Sequence, residues 1–501
     1  MFMLELIFIN NIDLIPSTKP SLVCYIDTPP LNLDPLYCTD YIGQIICQAM
    51  YEPLFIRDIK SGLWKLGAAE SVAISDDETT YVFQLSSVRK WSNGKSVTAY
   101  DFVSTFRRLL SSETKSPFAS WFFCILNGEQ YNEGTCLEDS LGVRALDVFK
   151  LEIKLEQPIS YIKALLGTIQ AAPSQSQNQK LNCSITNGPY YLETVKEDQV
   201  LLRRNSYHHK NTPSTIDFID FKINKRLEEA VNDYINGKVD ITCNTYFPFN
   251  KIEEFSHYEG FNMKDSAILY TLEHDEELWE NTDVFRNLCS LIDREKIAKL
   301  LNNGVKPYKN LAPSSLFNQN PFETINIPMD MPSNIKSFEE SPIRILYADY
   351  YPNGDIVEFI KTTWESLGLC VETVGLPFNE YLEAKQKREY HIYLTLFSPV
   401  LGHPMAYYLH YLSYLDDEIA FQLEHELNNY FSSVITNQDI QSFLQIEKFI
   451  KNQIPIVPLF TGKSIYLKKP NVGGYNVHVD GSICYQDLHW LSNNEKKDDF
   501  K

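Results

Sequence analysis

The sequence predicts an α/β protein built from two or more lobes with a cleft between them. Its 501 residues exceed the roughly 250–300 at which a single hydrophobic core stops growing. From Pro342 onward, strand patterns alternate with helix patterns, which is typical of a lobe with parallel strands. Residues 51–168 also mix helix and strand patterns, so both parts of the chain point to the same fold class.

The elements of the first part follow from apolar spacing. An apolar stripe at helical spacing over residues 42–50 predicts a helix. Alternating apolar residues over 81–85 predict a strand, and Gly94 marks a tight turn. Thr98 and Asp101 have the spacing of a helix-capping pair, so a further helix is expected to begin there.

The elements after Pro342 predict the parallel sheet and a candidate ligand-facing loop. The expected strands cover 343–347, 369–374 and 391–396, with a helix before a stop at Gly368 and another helix before the last strand. Ligands of such sheets bind beyond the carboxyl ends of the strands. Segment 397–404 follows such an end directly, and the alternative is an ordinary surface connection.

Charge and composition exclude several protein classes. The net charge of −20 argues against a nucleic-acid partner, because such proteins need a basic face. No run of eighteen or more apolar residues occurs, so no membrane-spanning helix is expected. The ten cysteines show no C-x-x-C spacing and mostly stand in apolar surroundings, which favours buried thiols over a metal or redox site.

The N-terminal segment leaves two interpretations open. Residues 4–9 are apolar like the core of a signal peptide, but a basic region before them and a small-x-small cleavage site after them are missing. Residues 1–19 are therefore either a non-standard leader or a plain N-terminal strand. The charged tail over 491–501 is expected to be a frayed end.

Signatures of catalysis and metal binding are missing from the sequence. The Gly-Lys-Ser triplets at 94–96 and 462–464 lack the earlier glycine of a phosphate-binding loop. No G-x-S-x-G or H-E-x-x-H pattern occurs. His208 and His209 are adjacent and lack the spacing with a carboxylate that would indicate a metal site. We therefore expect no enzyme activity, no cofactor and no bound metal.

Ordered sequence blocks carry a resemblance to a known family. The N-terminal blocks are Leu33-Asp34-Pro35, Tyr51-Glu52-Pro53-Leu54, Ala68-Ala69-Glu70-Ser71, Ile74-Ser75-Asp76-Asp77, Tyr81 to Leu85 and Lys90 to Phe102. Later blocks include Asn187-Gly188-Pro189-Tyr190, Arg204 to Tyr207, Phe285 to Glu295, Trp364 to Gly368, Pro455 to Leu459 and Lys469 to Tyr475. This order closely resembles extracytoplasmic solute-binding proteins of family 5, the oligopeptide- and dipeptide-binding proteins of ABC importers.

The resemblance implies a three-part architecture. It is a two-lobed periplasmic-binding-protein-like fold of class II, with an extra small α+β domain and a hinge between the lobes. Lobe I would combine residues 20–50, 169–265 and 463–490. The small domain would be 51–168 and lobe II 266–462, and the lobes would close on the ligand by hinge motion.

The resemblance also implies ligand-binding residues on lobe I and the small domain. Thr39, Asp40 and Tyr41 stand where family members present main chain and an acidic side chain to a peptide. Phe118 stands where a tyrosine of the family touches the ligand, and the alternative is a buried core aromatic.

Lobe II departs from the family pattern. Peptide binders carry W-x-x-D-Y-x-x-P, whose aspartate pairs with the α-ammonium of the peptide. The aligned residues here are Phe397, Val400, Leu401 and Pro404, and Ser398 and Tyr407 complete the predicted site. Since an unpaired buried cation is costly, either another acid, Asp40 or Glu52, replaces the aspartate, or the ligand lacks a free amino terminus.

The tyrosines that follow this loop also leave two interpretations open. Tyr407, Tyr408, Tyr411 and Tyr414 either line a ligand pocket or pack in the core, and their helical spacing favours the core.

We expect a substrate-binding component of an ABC importer that captures oligopeptides or peptide-like solutes and delivers them to a membrane-embedded permease. The resemblance places it in the periplasm or on the outer face of the cytoplasmic membrane, as a monomer. Two alternatives stay open: a surface interaction or sensory protein that retains the fold, and a binder of a non-peptide solute.

Overall fold

The computed structural model describes residues 21–491, with gaps in the description. The gaps are residues 59–60, 178–179, 182, 225, 246, 249–250, 279–281, 303, 318–319, 325–341, 399–400 and 433–436. The predicted leader over 1–19 and the tail beyond Leu491 lie outside the described residues, and so does Val400.

Three sheets of four or more strands organise the described chain, and helices pack against them. The helices are α1 (Tyr41–Met50), α2 (Ala99–Leu110), α3 (Gly128–Asn132), α4 (Ile162–Leu165), α5 (Leu227–Ile235), α6 (Ile252–Phe255), α7 (Thr282–Ser290), α8 (Arg294–Leu301), α9 (Asn353–Glu365), α10 (Phe378–Gln386), α11 (Met405–Leu412), α12 (Asp417–Ser432) and α13 (Asn437–Gln453).

The first sheet has the strand order β1-β12-β11-β10. Its strands are β1 (Leu22–Ile26), β10 (Tyr190–Lys196), β11 (Gln199–Arg204) and β12 (Phe218–Ile223). Helix α1 packs on it through its apolar stripe, which is buried from Ile42 to Met50 except at Gln48. The helix predicted over 42–50 is thereby confirmed.

The second sheet has the order β4-β5-β7-β6 and is antiparallel. Its strands are β4 (Ala69–Ile74), β5 (Thr80–Leu85), β6 (Val143–Asp147) and β7 (Lys150–Lys154). Helix α2 covers it and begins with the predicted capping box, because Thr98 N donates to Asp101 Oδ2 at 2.7 Å. Gly94 has φ +83°, as its predicted turn requires.

The third sheet has six strands in the order β14-β18-β13-β17-β15-β16. They are β13 (Phe261–His274), β14 (Lys306–Pro307), β15 (Ile343–Ala348), β16 (Val371–Leu376), β17 (Ile392–Phe397) and β18 (Ile456–Leu467). Strand β15 pairs in parallel with both β16 and β17, which confirms the predicted parallel lobe. The boundaries predicted between lobe I and lobe II, at 265/266 and 462/463, fall inside strands β13 and β18.

Short antiparallel pairs complete the described strands. They are β2 (Phe55–Arg57) with β3 (Trp64–Leu66), β8 (Ser176–Gln177) with β9 (Lys180–Leu181), and β19 (Val472–Gly473) with β20 (His489–Trp490).

The largest hydrophobic cluster joins the second sheet to the helices that follow β17. It extends from Leu54 and Phe83 to Tyr408 and Ile450. A polar contact supports the same junction, because Ser160 Oγ donates to Asn428 Oδ1 at 3.0 Å. All ten cysteines are free thiols, and Cys370 alone among them is exposed.

Candidate functional site

Segment 478–486 lies at the meeting point of three distant parts of the chain. Its Val479 carbonyl accepts a hydrogen bond from Ala267 N in β13 at 2.6 Å. Its Gly481 carbonyl accepts from the Tyr41 hydroxyl at the start of α1, at 2.9 Å. Its Asp480 pairs with Arg57 at the end of β2. The segment therefore links the first sheet, the third sheet and the β2–β3 pair.

Arg57 connects this segment to the loop after β17. Its Nε donates to Asp480 Oδ2 at 2.9 Å, and its Nη2 donates to the Gly402 carbonyl at 2.5 Å. A Cβ at Gly402 would lie 2.0 Å from Asp480 Oδ2 and 2.3 Å from Arg57 Nη2. The loop therefore docks on the ion pair through main chain, and any side chain at 402 would require the loop or the paired side chains to shift.

The ion pair is buried and fully hydrogen-bonded at the carboxylate. Burial alone would raise the pKa of Asp480, but the Arg57 charge and the Ser482 hydroxyl and amide outweigh it and hold the pKa below its ordinary value. Ser482 donates to Asp480 Oδ1 from Oγ at 2.6 Å and from N at 3.0 Å. Next to the docked glycine, burial and the Arg57 charge lower the pKa of His403 to about 3.

A cavity of about 80 Å³ lies beside segment 478–486. Its wall is formed by Gln44 and Gln48 of α1 and by parts of the segments 51–64, 164–169 and 478–486. We call it the α1 cavity. Its volume is smaller than the roughly 300–1,000 Å³ that is typical of small-molecule sites, so it would hold one group of a solute rather than a whole one.

Several side chains of the α1 cavity carry buried polar atoms that make no hydrogen bond with any described residue. These atoms are Gln44 Oε1, His478 Nε2, Tyr485 Oη and Gln486 Oε1. Buried polar groups in folded proteins nearly always have a partner, in the protein or in bound water or ligand. Asp480 is the only acid among the described lining residues, and it is paired with Arg57. The described wall is therefore polar, and its one carboxylate is already neutralised by Arg57.

The predicted residues at the start of α1 adjoin this wall without lining it. Asp40 is the N-cap of the helix, and its carboxylate accepts from Gly43 N at 2.7 Å and Leu31 N at 3.1 Å. Burial raises the pKa of Asp40, against the effect of these hydrogen bonds. Tyr41 reaches Gly481 as described above, while Thr39 is exposed. None of these three residues forms part of the cavity wall.

The predicted aromatic residues pack mainly in the core. Tyr407 is 0% exposed, and its hydroxyl donates to the Ala267 carbonyl. Phe397 is partly buried, with its ring 5.0 Å from that of Tyr407. Phe118 is 5% exposed and packs edge-on against Trp121 at 5.2 Å. For Tyr407 and Phe118 the structure thus matches the core alternative.

The remaining residues of the predicted loop differ in their surroundings. Leu401 is buried in the largest hydrophobic cluster, and Ser398 is exposed at the end of β17. The loop approaches the cavity wall through the next residue, Gly402, rather than through these side chains.

One group among the described residues has a metal-compatible composition. Glu52, His208 and His209 place their ligand atoms within 4.8 Å of one another. Burial alone would raise the pKa of Glu52, but nearby His208 and the Arg89 charge outweigh it and lower the pKa. Glu52 does not line the α1 cavity, so it is not placed to receive an ammonium group there.

Sequence reasoning did not find Arg57, Asp480 or the cavity residues of segment 478–486. These residues carry no motif of their own, and they meet only because the first and third sheets bring them together. The one usable signal was the glycine at 402 within the predicted loop.

The family of the chain follows from comparison with known proteins. Residues 64–418 match the bacterial extracellular solute-binding proteins, family 5 (middle part). The chain belongs to this family. Its members bind solutes and are not enzymes, and they are periplasmic or extracellular proteins. Among the described helices, none combines the length and apolar character needed to cross a membrane.

Individual relatives show how broad this group is. The chain is 23% identical to the dipeptide-binding protein DppE of Bacillus subtilis, over 89% of this chain and 88% of the relative. It is also 23% identical to the probable deoxycholate-binding periplasmic protein YgiS of Escherichia coli, over 91% of this chain and 90% of the relative. Relatives at one level of identity are thus named for different ligand classes.

A solved structure shows the same fold. The oligopeptide-binding protein OppA of Haemophilus influenzae, in complex with the peptide RPPGFSPFR, superposes with a TM-score of 0.80. The match covers 95% of this chain and 100% of that chain at 19% sequence identity. The two-lobed, periplasmic-binding-protein-like fold predicted from the sequence is therefore confirmed.

Proposed function

We propose that the chain is the substrate-binding component of an ABC importer, which captures a peptide or peptide-like solute in the cleft between its lobes, with one group of the solute in the α1 cavity, and presents it to a membrane-embedded permease. The observation that carries the proposal is the cavity wall with its unpartnered polar atoms, next to a loop that docks through Gly402. A bound solute would supply hydrogen-bond partners to Gln44, His478 and Gln486. The protein would act as a monomer, in the periplasm or on the outer face of the cytoplasmic membrane.

The three-part division predicted from the sequence belongs to this proposal. In that division Arg57 lies in the small domain, Asp480 in lobe I and Gly402 in lobe II, so the contact among them joins all three parts. Opening of the cleft would break the hydrogen bond from Arg57 to Gly402 while leaving the Arg57–Asp480 pair intact. The loop would thereby serve as the closing contact over the bound solute.

The ligand is proposed to bind without a carboxylate anchor for its amino terminus. Among the described residues of the wall, Asp480 is the sole acid and is paired, and Asp40 is occupied as a helix cap. A peptide would then be held by neutral hydrogen bonds and by shape. The same feature favours a second candidate, a non-peptide solute, which the naming of one relative for deoxycholate supports.

The proposal is tested by native mass spectrometry of the purified full chain, followed by thermal-shift titration with free peptides, N-acetylated peptides and deoxycholate. We expect a co-purified small molecule and a peptide-induced rise in Tm that acetylation changes little. A hundredfold loss of affinity on acetylation, about 2.7 kcal/mol, would show that an acid does anchor the ammonium. Stabilisation by deoxycholate alone would favour the second candidate.

Variants locate the binding site. Gln486→Ala removes a lining side chain, and we expect it to weaken peptide binding about tenfold, since a hydrogen bond to a buried group is lost. The matched control is Gln422→Ala, on the exposed face of α12. An unchanged affinity in Gln486→Ala, or the absence of any ligand across the panel, would contradict the proposal.

A further inference from the structure

Glu52, His208 and His209 form a compact cluster outside the α1 cavity. Glu52 follows α1 and is 1% exposed, whereas the two histidines follow β11. His208 is 6% exposed and His209 lies at the surface. The ligand atoms of the three side chains all lie within 4.8 Å of one another. We call this group the Glu52 cluster.

The buried polar atoms of the Glu52 cluster have no hydrogen-bond partner among the described residues. This holds for Glu52 Oε1 and for His208 Nε2. Glu52 Oε2 and His208 Nε2 are 3.7 Å apart, which is longer than a hydrogen bond. Both side chains are more than nine-tenths buried, and Arg89 pairs with Glu52 by charge without a hydrogen bond, so leaving these atoms without hydrogen-bond partners is costly unless something else binds them.

We propose that the Glu52 cluster binds a divalent transition-metal ion, with Zn²⁺ as the preferred ion. Two imidazoles and one carboxylate are a known zinc ligand set, and imidazole ligands favour this class over Mg²⁺ or Ca²⁺. The Glu52–His208 separation of 3.7 Å suits two atoms bound to one ion at about 2.1 Å each. The exposed His209 ring lies 4.4 Å from the His208 ring, so a small rotation of its side chain would complete the ligand set.

Two neighbouring residues, Arg89 and Asn187, hold Glu52 in place, as partners of metal ligands commonly do. Arg89 Nη2 lies 3.5 Å from Glu52 Oε1, the oxygen that does not face His208. Asn187 fixes the main chain of Glu52 by accepting from its N at 3.0 Å and donating to its carbonyl at 2.7 Å. Partners of this kind orient ligands and tune metal affinity. An ion here would tie the end of α1 to the turn after β11.

Sequence spacing alone assigned no ligand role to His208 and His209. The carboxylate that completes the cluster stands far away in the sequence and reaches the histidines only through the fold. The metal would be structural, and the proposal does not depend on what fills the α1 cavity.

The test uses the full chain, stripped of metal and titrated with Zn²⁺ by calorimetry, with Mg²⁺ as the comparison ion. We expect one equivalent of Zn²⁺ to bind and to raise Tm, and Mg²⁺ to do neither. Co²⁺ should give the absorption of nitrogen and oxygen ligation without thiolate bands, which excludes the free cysteines as ligands. The absence of Zn²⁺ binding at micromolar concentration would overturn the proposal, and so would thiolate bands.

Two variants assign the ion to the cluster. His209→Ala changes an exposed residue, and we expect it to weaken Zn²⁺ binding at least tenfold without loss of folding. His257→Ala, another exposed histidine, is the control and should bind as the parent does. Equal affinity in His209→Ala and the parent would overturn the assignment.

Discussion

Two buried carboxylates of this protein, Asp480 and Glu52, stand beside an arginine and have lowered pKa values, yet they differ in their hydrogen bonds. Asp480 receives hydrogen bonds on both oxygens, from Arg57 and from Ser482. Glu52 has Arg89 at 3.5 Å and His208 at 3.7 Å, and neither contact is a hydrogen bond.

The difference shows that burial and pairing alone do not define the role of an acid. Both oxygens of the Asp480 carboxylate already accept hydrogen bonds from other residues of the protein. Its partner Arg57 still donates a hydrogen bond to the Gly402 carbonyl, so the ion pair serves as a docking point for the loop. The Glu52 carboxylate keeps unused capacity and suits an added ligand. The following substitutions test this distinction, beginning with the largest expected effect.

Asp480→Ala should be the most damaging of these changes. It leaves the Arg57 guanidinium buried without its carboxylate, and breaking a buried pair from one side costs about 3–5 kcal/mol. Urea unfolding of the full chain measures the loss. The double variant Arg57→Met with Asp480→Ala should recover part of it, because the orphan charge is gone. A loss below about 1 kcal/mol in the single variant would mean that the pair is not a structural centre.

Gly402→Ala tests the docking of the β17 loop on the Arg57–Asp480 ion pair. The added Cβ would meet Asp480 Oδ2 and Arg57 Nη2, so either the loop or the ion pair must shift, at a cost of about 1–3 kcal/mol. The control is Gly354→Ala, because its Cβ would meet nothing closer than 3.7 Å. Equal stability of the two variants would show that the loop does not need the close approach.

Glu52→Gln should cost less than Asp480→Ala when metal is absent. The change keeps the side-chain volume and removes a charge that pairs with Arg89 at 3.5 Å without a hydrogen bond, and the amide can still interact with its neighbours, so we expect a loss of only about 1–2 kcal/mol. Unfolding in the presence of a chelator measures it. A loss as large as that of Asp480→Ala would erase the distinction between the two carboxylates.

The smallest expected effect is the contribution of His403 to the pH dependence of stability. Its pKa is about 3 in the folded protein and about 6.5 when unfolded, so the unfolded chain binds the extra proton. Stability is therefore lost as pH falls below about 6.5, by up to about 1.4 kcal/mol per pH unit. Between pH 6.5 and 5.5 we expect His403→Gln to be less pH-sensitive than the parent by about 1 kcal/mol. Parallel profiles would show that the histidine is not held neutral in the docked loop.

Local patterns predicted the parts of the fold that local energetics determine. The stripe of α1, the capping box of α2 and the alternation of β5 appear where their spacing placed them. The parallel pairing around β15 also followed from the order of strands and helices. Each of these features depends on residues close together in the sequence.

The site was less predictable because its contacts are non-local. Arg57 and Asp480 are 423 positions apart, and no spacing rule relates them. Phe118 was predicted as a ligand residue from family resemblance and Tyr407 from its place after the β17 loop, each with core packing as the alternative, and the structure buries both in the core. Tyr41 lies next to the cavity wall but reaches segment 478–486 through its hydroxyl, a contact that no pattern in α1 discloses. The ligand roles of the predicted residues stay predictions.

Docking of the β17 loop depends on a carbonyl oxygen and on the smallness of one residue. Every amino acid has a carbonyl, so Arg57 holds the loop without reading the identity of the residues before Gly402. Ser398 is exposed and is thus able to change while the Arg57–Gly402 contact is preserved, whereas Leu401 is held by the core. The contact that holds the loop and the side chain at its start are therefore separate features, and one can change without the other.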